Sequence, residues 1–196
     1  MKFKIVSLFV LCAILISCGT SRQGGKKQRK GTKAQVVLTP EQQRKYDYFF
    51  LEASRLKMKD DYSAAFDLLQ HCLTINPNAS SALYEISQYY MYLKQVPQGQ
   101  AALEKAVEND PDNYWYSQGL ASLYQQQNEM QKATNLLESM ATRFSDRMDP
   151  LYSLLDIYNR LEEYDNVITT LNRLEEKMGK NEQLSMEKFR IYLQKK

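Results

Sequence analysis

The 196-residue chain predicts an all-α fold: a solenoid of four helix pairs followed by one further helix. Three observations carry this expectation. The turn segments Asn76-Pro77-Asn78 and Asp110-Pro111-Asp112 resemble each other, and their prolines lie 34 residues apart. Repeating that offset along the chain aligns columns of small and of large apolar residues, as stacked repeats require. Only 7 glycines and 5 prolines interrupt the sequence, too few for many short strands and turns.

The amino terminus is an address. Lys2 and Lys4 give a positive start, and residues 5–16 are apolar apart from Ser7. That run suits a signal-peptide core and falls short of the roughly 20 residues that span a bilayer. It ends in Leu15-Ile16-Ser17-Cys18, an aliphatic residue, a middle position, a small residue and a cysteine. This resembles a bacterial lipobox. The resemblance implies cleavage after Ser17 and lipidation of Cys18, which confines the rest of the chain to a membrane surface. The expected organisation is a lipoprotein signal peptide at 1–17, a basic flexible tether at 18–38 and the solenoid domain at 39–196. With Cys12 removed and Cys18 lipidated, Cys72 has no partner for an intrachain disulfide.

Residues 19–33 are polar, rich in Gly, Ser and Thr, and lack apolar periodicity. Their six basic side chains suit either a solvated spacer or contact with anionic headgroups. No acidic residue precedes Glu41. Beyond residue 40, 18 basic residues face 23 acidic ones, a net charge of −5 against +3 for the whole chain. The folded part therefore lacks the basic footprint of a nucleic-acid-binding protein.

The helices follow in order. Thr39-Pro40-Glu41-Gln42 reads as a capping box with proline in the first turn, opening a helix over 40–58. Asp60 or Asp61 caps the next, 62–75. Helices at 81–94 and 97–109, 114–127 and 130–143, then 149–161 and 164–178 complete the pairs. A ninth, 182–195, begins near Asn181 and is either a solvating cap or the first helix of a further pair. Small or modest residues fall at Ala53, Ser87, Ala121 and Leu155, and at Ala65, Gly99, Ala133 and Val167, where paired helices cross. Larger side chains follow at Leu56, Tyr90, Tyr124 and Tyr158, and at Leu69, Leu103, Leu137 and Leu171. The oversized Leu155 and Val167 predict a looser fourth crossing. In the ninth helix Tyr192 keeps the register, while Phe189 falls at a small site.

Leu120-Ala121-x-x-Tyr124 followed by Ala133-x-x-x-Leu137 resembles the tetratricopeptide-repeat (TPR) family, with residues 46–179 covered in unbroken register. The resemblance implies a right-handed superhelical α-solenoid whose first helices line a groove for protein or peptide partners, with no cofactor, no catalysis and no small-molecule substrate. The groove positions it implies include Phe50, Tyr84, Gln88, Tyr92, Trp115, Gln118, Tyr152 and Arg160. Aromatic rings there supply apolar contact and amides pair with peptide backbone; the alternative for Tyr84, Tyr92 and Trp115 is packing. The Lys, Asn and Arg set with which some members clamp a carboxyl terminus is absent at Phe50, Ser54, Gln88 and Gln118.

His71 is the single histidine, so a zinc site of three His or Cys ligands cannot be assembled. The resemblance implies an interaction scaffold, with a glycan-binding lipoprotein using Trp115, Tyr84 and Tyr152 as the alternative. Gly19 in place of aspartate, and a tether without an acidic cluster, favour the periplasmic face of the outer membrane.

Overall fold

The computed structural model describes residues 37–195; the predicted signal peptide, Cys18 and most of the tether lie outside the described residues. The described chain is helical throughout its regular structure, with no strand. The helices are α1 (Pro40–Lys57), α2 (Tyr62–Ile75), α3 (Ser80–Tyr92), α4 (Val96–Asn109), α5 (Tyr114–Gln126), α6 (Met130–Arg143), α7 (Asp149–Arg160), α8 (Tyr164–Met178) and α9 (Glu182–Gln194). The expected boundaries hold to within two residues. Each helix packs chiefly on its neighbours in sequence, so the domain is a linear stack of pairs.

The starts follow local chemistry. At α1 the capping box is complete: the Gln42 amide donates to Thr39 Oγ1 at 3.2 Å and the Thr39 amide to Gln42 Oε1 at 2.9 Å. Asp61, rather than Asp60, caps α2, accepting from the Ala64 amide at 3.2 Å. Asn113 and Asn181 cap α5 and α9 in the same manner.

The turns inside the four pairs are identical in construction. Asp60, Lys94, Asn128 and Glu162, spaced 34 apart, all adopt positive φ between 57° and 62°. In each turn the following amide reaches back five residues, as Gln95 to the Tyr90 carbonyl at 2.8 Å and Glu129 to Tyr124 at 2.8 Å. This Schellman arrangement satisfies the last carbonyls of the first helix and turns the chain. A β-carbon in that left-handed region costs about 1–2 kcal/mol. Lys94→Gly removes the clash but gives a more flexible unfolded chain, so a net gain of about 0.5–1 kcal/mol is expected. A higher urea midpoint checks this; a lower one contradicts it.

The core runs along the stack. Ala53, Ser87 and Ala121, and Ala65, Gly99 and Ala133, are all buried, as the crossings require. At Gly99 an added Cβ lies 3.1 Å from the Ser87 carbonyl oxygen and 3.0 Å from Met91 Cε, so α3 and α4 touch there almost backbone to backbone. The α7 and α8 backbones stay close over less of their length than those of the first two pairs, as Leu155 and Val167 predict. The α5/α6 pair is equally spread despite Ala121 and Ala133, so side-chain size at the crossing is not the whole cause. Successive pairs are tied by side chains: Tyr46 Oη to Ser81 Oγ at 3.0 Å, Tyr124 Oη donating to Glu104 at 2.9 Å, and Arg173 to Glu138 at 2.7 Å.

The end helix differs from a solvating cap. One face of α9 buries Leu184 and Ile191, with Lys188 paired to Glu175 at 2.7 Å. The other exposes Met186, Phe189, Tyr192 and Leu193. Phe189 and Tyr192 stand at the register positions that Leu155 and Tyr158 fill in α7. In α7 Tyr158 is buried and Leu155 half-buried, whereas their counterparts in α9 are exposed. An apolar outer face is not the polar one that caps a stack.

Candidate functional site

The sequence-derived groove residues separate into three kinds. Phe50 and Tyr84 are half-buried: Phe50 stacks on Tyr46 at 5.9 Å between ring centroids and Tyr84 on Tyr116 at 4.8 Å. Gln118 accepts from the Tyr114 hydroxyl at 3.1 Å, and the Tyr152 hydroxyl points to Met178 Sδ at 3.3 Å, so both are braced. Tyr92 and Trp115 stand out, 80% and 64% exposed. Gln88 and Arg160 are exposed as well.

The helices place two clusters of rings on the surface. The first surrounds Trp115 at the start of α5. Asn113 caps this helix through the Trp115 amide, which fixes the backbone beneath the ring. Tyr114 meets Trp115 edge-on at 5.3 Å, and the Arg147 guanidinium lies 4.0 Å from the Tyr114 ring centre and 5.6 Å from that of Trp115. A cation against these ring faces holds them while leaving the indole open to solvent. Arg147 lies in the loop before α7, and no sequence signal connected it with α5.

The second cluster lines a cavity of about 380 Å³ bounded by the last turn of α1, the first turn of α2 and the end of α3. Its walls are Lys57, Tyr62, Gln88, Tyr89 and Tyr92. Of these, Gln88 and Tyr92 are among the groove residues named from the sequence, Lys57 stands at a further groove position that the resemblance implies, and Tyr62 and Tyr89 were not expected to bind. Tyr62, whose equivalents at the 34-residue offset are Val96, Met130 and Tyr164, is 47% exposed, and it stands 6.4 Å from Tyr89 and 6.5 Å from Tyr92. Its hydroxyl donates to Asp60 at 2.8 Å, which holds that phenol above its ordinary range. Lys57 pairs with Glu85 at 2.7 Å, and that bond raises the ammonium pKa. Tyr89 is 8% exposed and its hydroxyl has no hydrogen-bond partner among the described residues. Burial raises its pKa too, so the phenol is neutral at every physiological pH.

Other chemistry is sparse among the described residues. No group of three His, Cys, Asp or Glu is arranged to hold a metal, and no helix is long and apolar enough to cross a membrane. His71 is exposed, 5.5 Å from the Phe49 ring. Cys72 is fully buried, its thiol directed at the Tyr46 carbonyl, and burial pushes it from 9.0 up to about 11. A thiol whose folded pKa exceeds its unfolded one contributes stability below pH 9 that is lost as pH rises toward 11. Native Cys72 is therefore expected to resist iodoacetamide at pH 8 and to react once unfolded, as read by peptide mass mapping. Rapid native alkylation at pH 8 contradicts this packing.

Comparison with known proteins agrees with the geometry. The family model described as a tetratricopeptide repeat matches residues 80–113, which are α3, α4 and the turn that closes them. No curated protein sequence matches the chain. Among solved structures, MamA is similar at a TM-score of 0.61 and 18% identity, over 78% of this chain and 84% of that one. A tetratricopeptide repeat protein from Parabacteroides merdae aligns at 0.60 and 16% identity, over 73% of this chain and 57% of its own. YrrB, described as a TPR protein with an unusual peptide-binding site, aligns at 0.57 and 13% identity, over 75% and 76%. Such identities speak to the fold alone. The family match covers the α3–α4 pair, the other three pairs repeat its construction at the same spacing, and the described residues form an all-α solenoid with the fold of these tetratricopeptide-repeat structures.

Proposed function

We propose that this protein is a non-catalytic, lipid-anchored scaffold of the cell envelope whose repeat surface holds an extended segment of a partner protein. The observation that carries the reading is the exposure of Tyr92 in the last turn of α3 and of Trp115 at the capped start of α5. Burying one large aromatic side chain is worth about 1.5–3 kcal/mol. Rings held outside the core reserve that gain for a partner, and aromatic anchors beside amides dominate protein interfaces. The neighbour described as carrying a peptide-binding site is in keeping with this. Attachment rests on the Leu15-Ile16-Ser17-Cys18 segment, and the outer membrane facing the periplasm is the membrane its flanking residues favour. The glycan alternative is weaker, because one face of the Tyr84 ring is already covered by Tyr116.

The test is photo-crosslinking in intact envelopes. A benzoylphenylalanine at Trp115 is expected to capture discrete proteins, and one at the exposed Asn135 of α6 to capture few or none. No adduct at Trp115, or the same adducts at both positions, defeats the reading.

A further inference from the structure

We infer that the tyrosine-lined cavity between the first two repeats is a subsite for a proline-rich stretch of peptide, an inference that rests on the peptide-scaffold reading above. The internal repeat is the first argument. Residues 34 apart occupy equivalent positions, and the Tyr89 position is filled by Leu123 in the next unit and Ile157 in the one after. Both are buried apolar side chains. The first unit carries the partly exposed Arg55 there, so no equivalent position asks for a phenol, and the Tyr89 hydroxyl is an addition. Tyr92 is likewise replaced by Gln126 and Arg160, and Gln88 by Ser122 and Asp156. Among the described residues the ring cluster exists at this one junction.

The hydroxyl is the second argument. It belongs to a residue more than nine-tenths buried that lines the cavity, and it has no protein partner. Burying a polar group without a partner is costly, and a ligand carbonyl that the Tyr89 ring turned to meet would relieve that cost.

The third argument is the balance of donors and acceptors. Lys57 spends one of its three N–H donors on Glu85, and Gln88 spends one of two on Ser87 Oγ at 3.2 Å. With the Tyr89 O–H, free donors at the wall outnumber its strong acceptors, of which the Gln88 carbonyl is the main one. A peptide stretch that offers carbonyls and few N–H groups matches this surplus, and proline is the residue without an N–H. Its ring also lies flat on tyrosine faces, and its extended polyproline helix is ordered before binding, so aromatic-lined clefts take it at low entropic cost. The cavity of about 380 Å³ is at the small end of ligand sites, enough for a short stretch of such a chain.

The experiment titrates the full-length protein against fluorescein-labelled decaproline, a labelled Gly-Ser decapeptide and labelled chitohexaose, read by anisotropy. Decaproline is expected to bind at least ten-fold tighter than the Gly-Ser peptide. Tyr92→Ala, at a position 80% exposed, should weaken it about ten-fold with an unchanged melting temperature. Tyr89→Phe removes only the orphan hydroxyl. It should weaken binding about five-fold while leaving the melting temperature equal or higher, which a structural role for that hydroxyl would lower. Equal binding of the two peptides, or decaproline affinity untouched by either variant, overturns the proline subsite. The broader reading then survives if Trp115 crosslinks persist and fails if they do not. Binding of chitohexaose alone, lost in Tyr92→Ala, overturns the subsite in favour of a glycan.

Discussion

Leu137→Ala is expected to lower the free energy of unfolding by about 2–5 kcal/mol, the range for deleting a fully buried leucine side chain. Leu137 has no exposed surface and lies in α6, packed between α5 and α7. It belongs to the core cluster that continues through Leu151, Leu154, Ile157 and Leu171 into α9. The crowded helices around it cannot collapse fully into the space left behind, so a cavity remains. In a linear stack each pair is held only by its neighbours, so a defect in α6 loosens the third pair and its junction with the fourth. Urea titration by circular dichroism should show the lower midpoint, and hydrogen exchange should show α5 to α8 opening before α1 to α3. Leu161→Ala, at a site 45% exposed, should cost less than 1 kcal/mol. A loss below 1 kcal/mol for Leu137→Ala would mean that α6 is not packed as described.

Cys18→Ser is expected to abolish fatty-acid labelling and to release the protein from membranes. The reading is chemical: a thiol nucleophile follows an apolar run and a small residue, and a serine hydroxyl does not replace it. Each buried methylene contributes about 0.8 kcal/mol, so several acyl chains hold the protein far beyond reversible attachment. Six basic tether residues can add about 1 kcal/mol each at an anionic surface, but this attraction is screened over about 3 Å in 1 M salt. A high-salt wash therefore separates the two contributions. The native protein should stay in the membrane pellet, and Cys18→Ser should appear in the supernatant. Equal labelling of both proteins, or retention of the variant after the wash, would remove the anchor from the proposal.

Much of the fold is legible because its rules are local. Helix starts are written in Thr39, Asp61, Asn113 and Asn181, each of which caps through its own side chain. The first three crossings are written in small residues at a constant offset, and the fourth in the larger Leu155 and Val167, since two backbones can approach only where side chains are short. The left-handed turn residues sit at the same offset, but Asp60, Lys94, Asn128 and Glu162 share no side-chain chemistry, so nothing marked them in advance. The apolar outer face of α9 was equally silent, because the register of Tyr192 says where a ring lies and not what covers it.

Sequence alone determined the repeat, its register, the helix pairs and the buried columns, all consequences of spacing along one chain. Tertiary structure decided which rings are free. Tyr84 is occupied by Tyr116, Trp115 is held open beside Arg147, and Tyr62, Tyr89 and Tyr92 meet around a cavity with one unpartnered hydroxyl. Those outcomes depend on side chains from neighbouring elements facing one another across a gap, a relation that periodicity within a single helix does not encode.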